Sequence, residues 1–155
     1  IEVMVNRSFY LERWPAVRVG LLVVVDAFQP EDLAFTPVAG RWPVGRIILH
    51  ISSAANYWLH SGILSSINVY QPGESTLANY PTVAAIKTFL AEEYGRTLDL
   101  LEDFTEEDWD KTFPYPDGTA YQPSWVFWHV LEHEIHHRGE LSLILGQLGR
   151  DGLDV

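Results

Sequence analysis

The chain has 155 residues and a formal net charge of -11, a length that suits one domain with one full hydrophobic core, so residues 1–155 are expected to fold as a single unit. Ten Lys and Arg against 21 Asp and Glu exclude a protein that grips a phosphate backbone, and a 47% hydrophobic share with six Trp excludes a disordered chain. Zero cysteines exclude disulfides, thiolate metal ligands and a cysteine nucleophile, so any metal must be held by nitrogen and oxygen.

Along the chain, Trp14, Val17, Leu21, Val24, Val25 and Phe28 recur at three- and four-residue spacing. They predict a helix from about Phe9 to Phe28, with Pro15 limiting its early turns or kinking it. Gln29-Pro30-Glu31-Asp32 and the stretch from Pro37 to Pro43 are turn chemistry, and a second apolar-periodic run goes from Val44 to about Val69. A third follows Tyr80-Pro81 and carries Val83, Ile86, Phe89, Leu90, Tyr94, Leu98 and Leu101. The acidic residues from Glu92 to Asp110 read as a solvated helix face and loop. Phe113 to Gly118 is too rich in Pro and Gly for a helix, and the last run goes from Pro123 to Leu148, with Gly149 as its stop. Four long segments without strand alternation predict an all-α four-helix bundle, and the long loops before the second and fourth helices predict connections that cross it.

No apolar run approaches the roughly 18 residues of a membrane span. The N-terminal residues show no charged region followed by an apolar stretch and a cleavage site, so a cytoplasmic location is expected.

The chemistry concentrates on the fourth helix. His133 and His137 lie about 40° apart at one helical turn, so their imidazoles can converge on one ion. They share a stripe with Val126, Val130, Leu141, Ile144 and Leu148, which turns both toward the core. On the second helix His50 shares its face with Ile47, Ala54, Tyr57, Trp58 and Ser61. The pattern leaves two readings of His50 open: a third ligand, or an unrelated hydrogen-bonded core histidine. Three neutral imidazoles with one open position are the make-up of a catalytic zinc-type site. His129, one turn before His133, is a candidate neighbour of a ligand or a residue of the site's margin, whereas His60 and His136 turn away as surface or packing residues. Glu140, one turn past His137, either holds a ligand imidazole or balances the charge of Arg138 and Arg150. Tyr57, Trp58 and Trp128 are candidates for a pocket wall or for core packing.

His133-Glu134-Ile135-His136-His137 also matches H-E-x-x-H, the helix signature of zinc proteases. Its longer form puts Gly and His where this chain has Glu140 and Leu143, and only Asp151 and Asp154 remain as late carboxylates. The match is therefore read as Glu134 falling by coincidence between two ligands.

Two stretches carry a resemblance: Gly40-Arg41-Trp42-Pro43-Val44-Gly45-Arg46-Ile47-Ile48-Leu49-His50, and Trp128-His129-Val130-Leu131-Glu132-His133-Glu134-Ile135-His136-His137-Arg138-Gly139-Glu140-Leu141. With these, with the Phe28 to Leu33 turn and with the Tyr94 to Trp109 region, the sequence resembles the DinB/YfiT-like superfamily of four-helix-bundle metalloproteins over nearly its whole length. The resemblance implies that His50, His133 and His137 bind zinc, nickel or a similar divalent ion, often in a homodimer. It departs at Glu140, where the family often has Gln. Characterised relatives include thiol transferases and isomerases that use bacillithiol, mycothiol or glutathione. The expectation is a metal-dependent transferase, or a hydrolase-like enzyme, acting on a small thiol and an electrophile, with no nucleic acid and no membrane as partner. The contrasting expectation is a non-catalytic, metal-stabilised bundle that binds a small molecule or a partner protein.

Overall fold

The computed structural model describes residues 6–63 and 75–153, with the backbone alone for residues 61–63. Asn6 opens α1 (Arg7–Asp26) by accepting a hydrogen bond from the Phe9 amide at 3.1 Å, so the helix starts well ahead of Pro15, which sits inside it. After a 3-10 turn at Pro30–Ala34, α2 runs over Val44–Asn56 and widens into a π-helical stretch at Tyr57–Ile63. The part of the second run expected from residue 64 to Val69 lies outside the described residues. Thr82 caps α3 (Val83–Asp103) through the Ala85 amide, and Pro123 occupies the first turn of α4 (Pro123–Gln147), where its missing N–H costs nothing. Gly149, at φ 73°, takes the left-handed conformation that follows the end of α4.

Two details depart from the sequence-based expectation. Strands β1 (Phe113–Pro114) and β2 (Ala120–Tyr121) pair antiparallel around a turn in which Gly118 has φ 84°, a ladder too short to leave an alternating pattern. Within the acidic region, Glu93 is not solvated: it is 4% exposed, accepts from Asn56 Nδ2 at 2.6 Å and pairs with Arg96.

The main packing pairs are α1 with α3 and α4, and α2 with α3 and α4. Of the helices adjacent in the chain, α2 and α3 pack together, whereas α1 with α2 and α3 with α4 stand diagonally, and the connections within those two pairs cross the bundle as their lengths suggest. The core falls into two clusters. One holds Leu21, Val25, Ile48 and Leu90 with Leu141 and Leu145; the other holds Tyr10, Trp14, Leu59 and Leu101 with Phe127 and Leu131. On α4 the residues between 131 and 141 lie in the interval between the clusters, and both histidines of the pair are there. Among the described residues no helix is long and apolar enough to cross a membrane.

Candidate metal centre

The helical spacing of α4 stacks His133 over His137, and the packing of α2 on α4 brings His50 against them. His133 Nε2 lies 3.1 Å from His50 Nε2 and 3.2 Å from His137 Nε2. The rings meet edge to face, with centroids 4.5 to 5.2 Å apart. His137 Nδ1 is 2.7 Å from Glu140 Oε2, so its proton belongs on Nδ1 and its Nε2 carries a lone pair toward the other two rings.

This arrangement fits a divalent cation. Three imidazole nitrogens bound tetrahedrally at about 2.0–2.1 Å stand roughly 3.3–3.4 Å from one another, within a few tenths of the two spacings found. Burial, followed by repulsion from His137 and Arg46, pushes His50 down to about 4; burial, followed by the neighbouring imidazoles, pushes His133 down to about 3. Both are therefore neutral near pH 7, the state that ligates metal.

A cleft of about 520 Å³ reaches the cluster at His137, walled by Pro37, Val38, Gly40, Arg41, Trp42, Ile47, His137 and Glu140. Trp42 stands edge-on to His50 with ring centroids 4.8 Å apart, and the Arg46 guanidinium lies 4.3 Å over the Trp42 ring. The wall is a folded loop: Arg41 N donates to Val38 O at 3.0 Å, Val44 N to Phe35 O at 2.9 Å, and Asp32 pairs with Arg150 at the far end of α4. Arg41, Trp42 and Arg46 were not singled out from the sequence as site residues. The available signal was an aromatic residue between two cations just ahead of His50.

The remaining candidates are placed elsewhere. His129 stacks on Trp125 with centroids 4.8 Å apart and planes at 8°, and its centroid is 6.3 Å from that of His133. Trp58 meets His129 edge-on and packs with Tyr57, Tyr115 and Tyr121, so neither Tyr57 nor Trp58 is in the wall of this cleft. Both begin the π-helical stretch, at least one turn beyond His50 along the helix, where they meet the β1–β2 aromatics instead of the cleft. Trp128 is 45% exposed. His60 is buried beside Arg96, whereas His136 is exposed. Asp151 is exposed, and Asp154 lies outside the described residues.

Glu134 settles the meaning of the H-E-x-x-H match. Its carboxylate accepts from Trp14 Nε1 at 3.0 Å and from Arg18 at 2.8 Å, both on α1. It is 1% exposed and belongs to the packing of α1 on α4, so the glutamate that a zinc protease needs as general base does not serve these histidines.

A model of the DinB superfamily matches residues 14–141, a span that includes all three histidines. No curated protein matches. A DinB-like protein from Bacillus cereus ATCC 10987 superposes with a TM-score of 0.74 at 21% identity, covering 94% of this chain and 95% of its own. YfiT from Bacillus subtilis, described as "a probable metal-dependent hydrolase with an unusual four-helix bundle topology", gives 0.63 at 18% identity, covering 90% and 87%. A mycothiol-dependent maleylpyruvate isomerase gives 0.58 at 14% identity, covering 88% of this chain and 65% of its own. At these identities the likeness is one of fold.

Proposed function

This chain belongs to the DinB superfamily, and from that premise we propose that it is a metal-dependent transferase using a low-molecular-weight thiol, with His50, His133 and His137 as ligands of zinc or nickel. One observation carries the reading: three imidazole Nε2 atoms meet, with two of their separations at 3.1 and 3.2 Å, and one of the three rings, His137, lines an open cleft. The fold is shared with a thiol-dependent isomerase, which supports the choice of a thiol of the bacillithiol, mycothiol or glutathione class over water. A divalent ion held here supplies Lewis acidity, lowering the pKa of a thiol brought to its open position.

The residues of this chain do the remainder. Glu140 holds the His137 ring and keeps its proton on Nδ1. Trp42 covers one side of His50 and narrows the access of water to it. The chain has no cysteine, so the sulfur nucleophile comes from outside, and the electrophile enters through the same cleft. A homodimer is the assembly we assign to it.

Elemental analysis of untagged protein, with His50→Ala and the His133→Ala/His137→Ala double variant beside it, is the first test. One metal equivalent, lost in both variants together with conjugation of thiol to an activated aryl halide, is the expected result. Metal kept by His50→Ala would remove the three-histidine ligand set. Metal present without conjugation by any of the three thiols would leave a metal-stabilised binding protein.

A further inference from the structure

Two cations on the His50 side of the site, Arg41 and Arg46, are set apart from the others. Of the ten Lys and Arg, six pair with carboxylates, and Arg7 and Arg138 donate to main-chain carbonyls. Among the described residues neither the Arg41 nor the Arg46 guanidinium has an acidic or carbonyl partner, and Arg46 rests on the Trp42 ring. Arg41 is in the wall of the cleft with His137. The one carboxylate in that wall, Glu140, is engaged with His137. A chain of net charge -11 thus keeps one uncommitted guanidinium in the wall of a small cleft and a second on the Trp42 ring of that wall, where a dication held by the imidazoles would leave the local charge positive.

We propose that the molecule taken up at this site carries a carboxylate, and that Arg41 in the cleft wall binds it while Arg46, held on Trp42, draws it in. The proposal rests on the thiol reading above and narrows it to carboxylate-bearing thiols over neutral ones. The planar guanidinium presents two parallel N–H donors that match the two oxygens of a carboxylate. At about 520 Å³ the cleft suits a small molecule rather than a protein or nucleic acid chain. Arg46 is a positioning and steering group; its effect acts through space and weakens with salt.

The test uses cobalt(II)-loaded full chain and the thiolate-to-cobalt charge-transfer absorption, with 3-mercaptopropionate and its neutral isostere 3-mercaptopropionamide as probes. The acid is expected to bind about tenfold more tightly than the amide, the scale of one charge-assisted bond at an exposed site. Arg41→Gln should abolish that preference, with cobalt per chain as the check that the site survives. Arg46→Gln should reduce it by a smaller factor that disappears at high salt. Equal affinity for acid and amide, or a preference that persists in Arg41→Gln, overturns the proposal, as does competition by inorganic phosphate but not by propionate. Absence of the charge-transfer band with both probes counts against the thiol reading instead. Propionate then decides alone: a shift of the visible cobalt bands that depends on Arg41 sustains the carboxylate site, and no such shift removes it.

Discussion

Glu140 Oε2 stands 2.7 Å from His137 Nδ1, less than one turn further along the same helix. The contact sets the tautomer and the tilt of the imidazole whose Nε2 meets His133. Glu140→Ala is expected to weaken metal binding about 10- to 100-fold, the usual range for losing such a partner. Glu140→Gln keeps an oxygen that accepts from Nδ1–H and should weaken it much less. Competition with a chromophoric chelator measures both, and equal losses would show that the carboxylate charge matters rather than its geometry.

Arg18 and Glu134 form a buried ion pair at 2.8 Å, with the Arg18 guanidinium also 4.4 Å over the Tyr94 ring. Burial pushes Glu134 above the ordinary carboxylate range and Arg18 below its own, each opposed by the other's charge. Arg18→Met would strand the carboxylate and is expected to cost about 3–5 kcal/mol. The Arg18→Met/Glu134→Leu pair should recover most of it. Urea unfolding of metal-saturated protein gives the numbers; a loss below about 1 kcal/mol for Arg18→Met would mean that Glu134 finds a proton at little cost.

His60 provides a pH test away from the metal centre. It is 5% exposed, its Nε2 has no hydrogen-bond partner among the described residues, and burial first, then Arg96, lowers its pKa. The unfolded chain therefore takes up this proton at higher pH than the folded one. Stability from the neutral ring is complete above the unfolded value of about 6.5 and declines as pH falls below it. Between about pH 7.5 and 5.5, wild type should lose more of its urea midpoint than His60→Leu does. Parallel curves would show that the ring remains hydrated in the fold.

Trp42 is the indole in edge contact with a candidate ligand, at 4.8 Å from His50. Paramagnetic nickel or cobalt should quench a clear share of the tryptophan fluorescence, and Trp42→Phe should remove the largest part of that quenching. Retention of the full effect in Trp42→Phe would place the ion nearer Trp58 or Trp125, at the His129 end of α4.

The features legible in the sequence are those with a period. The stripes of Trp14 to Phe28 and Val126 to Leu148 mark helices whose bounds agree within about two residues. The i,i+4 spacing places His133 on His137, and loop length anticipates the crossed connections. What escaped is aperiodic. The π stretch from Tyr57 carries no residue signature, and the aromatic cluster that Tyr57 and Trp58 join with Tyr115 and Tyr121 is built from residues far apart in the chain. Glu93 reads as one more acid in an acidic stretch until Asn56 and Arg96 enclose it. The cleft wall owes its shape to a loop tied by Val44 N to Phe35 O and by Arg150 to Asp32, links between positions with no regular spacing.

The diagonal placement of α1 with α2 and of α3 with α4 bears on how the molecule assembles. Neither α1 with α2 nor α3 with α4 can zip into a helical hairpin as it leaves the ribosome; α2 and α3 pack on each other, but α1 and α4 wait for partners further away in the chain. Folding then waits for contacts of long sequence separation, which slows it relative to an up-and-down bundle. His50 and His133, 83 positions apart, meet only when that wait is over. With the proposed ligand set, metal capture by all three imidazoles would thus be a late event, and a chain caught before it would offer an ion little more than the pair on one helix.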